Sequence, residues 1–347
     1  MPGRKPLSRI QFGRETTPGT MVPATARMRY NGGFLSDDRT PEFIEEAVGI
    51  FRTDRSVITA VDASLDIPET PATPEQLPYA FAMLFGGAIA GSADGAGSSG
   101  YRYATTIPTT ATPANNYAYT VEGGDDYEVE RMGYAKFIEL TLKGAAKSKI
   151  TMSGKLMAQR VERLGTAFAA AALVDVNDLV FGLARLYLDA IGGTIGTTQI
   201  TNQFKGFELT FKAMWEKQFT GEASTTNGPI WTFATFADYE ITGKLTLLHD
   251  PAVSGSGGLK EFFRSQTPRL MRIDCLGAAY ATPGTGTTFT GGRRGIRIDL
   301  PIKVTKVPPI SDDAKVSLVT VEFESRYNAT AATAGSITIC NETSALP

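Results

Sequence analysis

Along much of this 347-residue chain the apolar residues fall on every second position, the period of a strand with one buried face. Val61, Ala63, Leu65 and Ile67 keep that period within a stretch from Asp54 to Ile67. Pro68 is expected to stop it, and Pro71 and Pro74 to hold the linker extended. Ile138, Leu140 and Leu142 alternate with Glu139 and Thr141, then Ile150, Met152, Gly154 and Leu156 with Thr151, Ser153 and Lys155. The connector 143–148 is short enough to make these two an antiparallel hairpin. Further on, Phe207, Leu209 and Phe211 alternate, as do Ile241, Gly243, Leu245 and Leu247. Arg269 to Leu276 reads as another strand, and the run from Ile296 to Val304 keeps the same beat. The last strand, Lys315 to Glu324, changes phase at Leu318, which predicts a β-bulge there.

Two short segments break the period. Residues 75–86 predict a helix, with Glu75 in a first turn that favours an anion, Pro78 tolerable there, and Gly86 as a left-handed C-terminal residue. Leu259 to Ser265 predicts a second, after a Gly/Ser loop from Ser254 to Gly258. Residues 1–34, studded with Pro and Gly, read as an extended arm outside the core. Residues 87–116, rich in Gly, Ser, Ala and Thr, read as a long mobile loop anchored only by Tyr101 and Tyr103. A strand from Tyr117 to Val121 and a turn from Glu122 to Asp126 follow. The order strand, short helix, flexible loop, strand hairpin thus occurs twice, over Val57 to Leu156 and Ile241 to Phe323. The match is in pattern, not in residue identity. It divides the chain into the arm 1–34, a first domain 35–180 carrying the loop 87–116, and a second domain 181–347 ending in a C-terminal strand or arm.

Composition narrows the function. Lys plus Arg (34) nearly cancel Asp plus Glu (36), so the basic excess of a protein that grips nucleic acid is missing. Two cysteines, Cys275 and Cys340, make no disulfide framework; a single bridge between them is open, and two isolated buried thiols are the favoured reading. The positively charged start lacks an apolar stretch after it, so a signal peptide is not expected. Neither Ala80–Ala90 nor Ala167–Val174 reaches the ~20 residues of a membrane helix, and no membrane anchor is expected.

Candidate chemistry is thin. The single histidine, His249, leaves no His-pair metal site and has no nucleophile elbow near it. The acidic pairs Asp37-Asp38, Glu45-Glu46, Asp125-Asp126 and Asp312-Asp313 read as solvated turns rather than a glycosidase pair. The glycine-rich stretches 91–100 and 283–295 lack a phosphate-binding ending. Arg293, Arg294 and Arg297 read as a partner-facing or solvated edge; Trp215, Trp231, Phe233 and Phe236 as core or interface anchors. No catalytic residue, cofactor or metal is expected, so the chain reads as a non-enzyme.

Certain phrases resemble a known family. Gly13-Arg-Glu-Thr-Thr-Pro-Gly-Thr-Met-Val-Pro-Ala24 is similar to the opening of long-tailed phage tail tube proteins. Glu75-Gln-Leu-Pro-Tyr79, Tyr119-Thr-Val-Glu-Gly-Gly-Asp125 and Asp238-Tyr-Glu-Ile-Thr-Gly-Lys-Leu245 resemble it too. The resemblance implies a mainly β fold of two tandem β-sandwich, tube-type domains, each with a short helix, contributing strands to an intersubunit β-barrel. It implies a structural virion protein of the tail, assembled in the host cytoplasm, whose rings stack around a channel for DNA passage during ejection. The doubling implies three-membered rings with pseudo-sixfold symmetry.

The expected partners are other copies of the chain, the tape measure protein and tail-end proteins, with DNA passing through unread. A DNA channel should repel phosphate weakly, so an acidic lumen face is expected, with Glu139, Glu322 and Glu324 as candidates. Arg14, Glu15, Tyr101 and Tyr103, on the arm and the long loop, are candidates for contacts between rings. The alternatives are a surface or secreted β-sandwich ligand-binding module and a carbohydrate-active enzyme.

Overall fold

Alternating residues become strands wherever one face can be covered, and the described residues form twenty of them. The computed structural model describes every residue except 1–6, 33, 50, 53, 110–112, 114, 166, 222–227, 251–257 and 314–315. The first part runs β1 (Arg9–Arg14), β2 (Ala26–Met28), β3 (Ser36–Phe43), β4 (Ser56–Pro71), α1 (Leu77–Phe85), β5 (Ser92–Ala93) and β6 (Tyr101–Thr106). It continues with β7 (Tyr119–Gly124), β8 (Val129–Ala145), β9 (Thr151–Ala158), β10 (Arg160–Gly165) and β11 (Ala172–Leu173). The second part runs β12 (Ala184–Ala190), β13 (Gln199–Ile200), β14 (Phe204–Gln218), β15 (Phe233–Leu248), α2 (Leu259–Arg264) and β16 (Arg269–Ala279). It ends with β17 (Arg293–Lys306), β18 (Ser311–Asp313), β19 (Val316–Ser325) and β20 (Ser336–Asn341).

One antiparallel layer crosses the whole molecule in the order β3-β4-β9-β8-β14-β15-β19-β17. Two further sheets lie on it. In the first, β10, β8, β7, β1 and β2 are successive neighbours; in the second, β20, β17, β16, β12 and β13. β8 and β17 therefore each belong to two sheets, and turn from one to the other along their length. Between the layers sits α1, all nine of its residues buried, with Phe81 packed edge-on to Phe211 and Tyr79 against Phe12 and Tyr119. A helix apolar all round needs cover on every side. Gly86 ends it at φ 69°.

Within the layer the four strands β3-β4-β9-β8 match the four strands β14-β15-β19-β17 in order, and the irregularities correspond as well. The β3–β4 ladder skips Thr59 between Thr40–Ala60 and Pro41–Ile58. The β14–β15 ladder skips Ala237 between Met214–Asp238 and Trp215–Phe236. Likewise β8 carries the extra residue Ile138 between Phe137–Leu156 and Glu139–Lys155, and β17 carries Thr305 between Val304–Phe323 and Lys306–Glu322. A bulge re-aims a strand and is a designed feature of a sheet. Two of them at matching places fix which residues are equivalent.

Several expectations need correcting. The segment 1–34 is no free arm over its described part: β1 and β2 pair with each other and β1 with β7, burying Ile10, Phe12, Ala26 and Met28. The stretch 87–116 is no simple loop either. Its β6 crosses to pair with β20, knitting the two strand sets together, while residues 110–112 and 114 lie outside the description. Pro68 does not stop β4; the strand continues to Pro71 past a register shift between Ile67 and Thr70. Glu75 precedes α1 and instead accepts from the backbone and side-chain amides of Asn177, each at 3.0 Å. Leu318 marks no bulge: β19 runs in register along β15, and Leu318 pairs with Leu248. Most of the loop expected at Ser254 to Gly258 lies outside the described residues. Cys275 and Cys340 are free and buried.

Lys136 sits where β8 turns between sheets. It is fully buried, donates to the Tyr117 carbonyl at 3.0 Å, and stands 3.7 Å over the Trp215 ring. Burial pushes its pKa down to about 7, against about 10.4 in an unfolded chain. Between those values the unfolded state holds the extra proton, so stability rises with pH across that window and is flat in this group below it. In denaturant titrations from pH 7 to 10, Lys136→Met should remove that rise relative to the parent chain and be the more stable of the two at pH 7. Parallel pH profiles would contradict this.

Candidate functional site

The eight-strand layer has one apolar and one polar face, because paired residues in antiparallel strands share a face and each strand alternates. Phe211, Leu209, Leu140, Leu142, Leu245 and Val321 lie on the buried side. On the other side the charges form rows across the strands. One row reads Asp66, Lys155, Glu139, Lys212, Glu240, each residue directly opposite the next. A second reads Lys143, Glu208, Lys244, Glu322, Lys306. Between them runs a row of hydroxyls, Ser153, Thr141, Thr210 and Thr242, that ends in Glu324 and Lys303. Thr141 and Thr210 share a hydrogen bond of 3.1 Å.

Glu139, Glu322 and Glu324 all belong to this polar face, whose rows carry no acidic excess. The three rows hold six carboxylates and six lysines, and no carboxylate in them faces another across a ladder. Ion pairs close at Lys143–Glu208 (3.4 Å), Lys212–Glu240 (3.3 Å) and Lys244–Glu322 (3.8 Å). Glu324 instead takes Arg326 at 2.7 Å. At one end of the face a groove of about 760 Å³ collects Lys143, Lys147, Lys149, Lys205 and Lys244 around Glu69 and Glu208. This grouping was missed in the sequence: Lys143 and Lys244 sit in the polar phase of their strands, Lys205 at the register shift of β14, and Lys147 and Lys149 in the turn between β8 and β9.

The remaining candidates mostly turn inward. Glu15 is buried and accepts from the Gly19 amide (2.6 Å), the Thr120 hydroxyl (2.9 Å) and the Tyr134 amide (2.9 Å). Burial still raises its pKa despite those donors. Tyr103 is buried and donates to the Thr343 carbonyl at 2.6 Å. Both side chains are engaged within the chain. Tyr101 is half-buried on β6, and Arg14 is exposed on β1. The arginines expected at a partner-facing or solvated edge are engaged within the chain. Arg297 forms a fork with Asp274 (2.8 and 2.9 Å), Arg294 pairs with Glu342, and Arg293 reaches the Gly277 carbonyl.

Trp215 and Trp231 are buried anchors, their indole N–H groups on the Leu84 carbonyl and the Asp62 carboxylate. Phe236 packs on Trp215, while Phe233 is exposed. Asp125 caps its own turn through the amides of Tyr127 and Glu128. His249 is exposed. Among the described residues no group of three or more His, Cys, Asp or Glu is placed to hold a metal ion, and no helix is long and apolar enough to cross a membrane.

What the layer lacks is closure. Among the described residues β3 has β4 as its one ladder partner, and beyond Val304 the outer edge of the β17–β18 arm has none. The hairpin formed by β3 and β4 also exposes Phe43, Val48, Phe51, Val57 and Ile58 around its tip, large apolar side chains left in water among the described residues. Ion pairs as exposed as those on the polar face contribute little to stability, about 0–1 kcal/mol each. Lys212→Gln should therefore shift the urea midpoint only slightly; a loss of several kcal/mol would mean that the rows hold the fold together.

Comparison with known proteins gives two findings. A model of a family described as phage tail tube protein matches residues 6–325. Among solved structures, the tail tube of SPP1, determined by solid-state NMR and cryo-EM, is similar at 8% identity and a TM-score of 0.28, covering 47% of this chain and 80% of that one. No curated protein matches in sequence.

Proposed function

This chain belongs to the phage tail tube protein family, and from that premise we propose that three copies close head to tail into a ring of the tube. It is a structural protein of the virion tail. Each copy, on this reading, carries two fused tube domains, so three chains give pseudo-sixfold symmetry and fewer bodies lose their freedom on assembly. The observation that carries the proposal is the pair of open borders on the eight-strand layer, which a heterologous contact repeated around a ring would close. Three layers of eight strands make a barrel of twenty-four. With strands ~4.8 Å apart and tilted about 40°, its backbone is roughly 48 Å across, and its bore, with side chains, roughly 40 Å. That is ample for a DNA duplex.

The polar face of the layer would line the bore. Within its three rows the lysines are interleaved with carboxylates, so along them a passing phosphate meets no run of positive charge; the lysines of the groove at one end are the exception. No catalytic step is assigned to any residue. The tape measure protein and tail-end proteins are the other partners proposed. Rings would stack through the apolar tips of the β3–β4 hairpins.

Electron microscopy of the purified protein tests this. Stacked rings with threefold symmetry and a bore of roughly 40 Å are expected; a dispersed monomer at high concentration would overturn the ring. Phe51→Asp should leave rings intact while abolishing their stacking, and normal tubes from this variant would remove the hairpin tips from the contact between rings.

A further inference from the structure

Resting on the ring proposed above, we infer that the joint between chains repeats the internal β8–β14 joint residue for residue, with Lys306 of one chain opposite Asp38 of the next. The matching bulges supply the alignment. They make Lys306 the counterpart of Glu139 and Asp38 the counterpart of Lys212. Inside the chain Glu139 stands directly opposite Lys212. Carried to the open borders, that pair becomes Lys306 and Asp38, with the charges exchanged.

The exchange is systematic. The triad Asp66, Lys155, Glu139 has as its counterpart Lys244, Glu322, Lys306, every sign reversed. A row that ends on lysine needs an acid as its next neighbour, and β3 offers one at that position. The lone chain shows the same need from the other side. Asp38 lies directly opposite Asp62, an unfavourable like-charge pair. Asp62 is held by Lys217. Asp38 has only the hydroxyls of Ser36 and Ser64, at 3.0 and 3.2 Å, recorded against it among the described residues.

Four residues further along, the internal ion pair Lys143–Glu208 has as its counterparts Ile310 and Phe34. Both are large apolar side chains left in water, 45% and 63% exposed. Each would cover the other. One difference from the internal joint is built in: Pro308 and Pro309 stand where Thr141 and Leu142 do. A proline donates no backbone hydrogen bond, and alternation turns one of the two positions toward the joint. The joint between chains is therefore the weaker copy, which keeps a lone border from pairing indiscriminately.

Cysteine pairs read the register. Directly opposite Cβ atoms lie about 4.5–5.5 Å apart, close enough for a disulfide after small adjustment. The native Cys275 and Cys340 are buried. In assembled rings, Asp38→Cys with Lys306→Cys should convert monomer on oxidation to a covalent ladder that stops at three chains. Ser36→Cys with Lys306→Cys, two residues out of register, should stay monomeric in denaturing gels. Rings that cross-link only through the shifted pair, or through neither, would overturn this register while leaving the ring standing. Absence of rings in the parent chain would overturn the ring itself.

Charge reversal gives a second reading if the cysteines disturb assembly. Asp38→Lys and Lys306→Glu should each raise the concentration needed for assembly about two- to fivefold, and the two together should restore it. Additive losses would overturn the pairing.

Discussion

A strand at the border of a sheet presents a row of backbone N–H and C=O groups that only another strand or water can satisfy. That constraint organises this molecule. At the centre of its widest layer β8 meets β14, and seven consecutive residue pairs, from Gly206–Ala145 to Lys212–Glu139, make two strand sets into one sheet. β3 pairs inward with β4 and the arm from Lys303 to Asp312 inward with β19, but their outward-facing groups have no such neighbour among the described residues. The internal joint is a working example of how those borders can be closed.

Stability and surface charge are separated by the pleat. The buried side of the layer holds Phe81, Phe211, Leu209 and Phe323 in a core shared by both strand sets, and α1 is wholly enclosed there. Burial of this kind is the dominant favourable term in folding. The polar side is free to carry whatever pattern its surroundings demand. Rows of alternating sign give it near-neutrality without removing its charges, and that balance suits a surface passed by a polyanion better than a lysine stripe would.

Much of this was legible in the sequence. The strands that were read come from unbroken alternation, as at Ile138–Leu142 and Ile296–Val304, and both helices stand where the period breaks. A repeat of pattern was read as well, but the residues that align the two halves of the layer are bulges, and Ile138 and Thr305 look like any other strand residue. Where Pro and Gly are dense the reading failed. Phe12 and Met28 were passed over as part of an arm, and Tyr101–Thr106 as a loop, because their partners β7 and β20 lie far away in sequence and no local signal reports them. Glu15 looked exposed for the same reason: its three donors come from Gly19, Thr120 and Tyr134. The lumen candidates were placed on the polar face by alternation alone, whereas their lysine neighbours depend on ladder register, which a single strand does not encode.

The central claim, that copies of this chain supply the missing strand neighbours, is tested most directly by amide hydrogen exchange on dispersed and assembled protein. The account predicts that the outward-facing amides of residues 36–43 and 303–312 exchange fast in the dispersed chain and become protected on assembly, while β8 and β14 are protected in both. Equal exchange of the two borders in both states would contradict it.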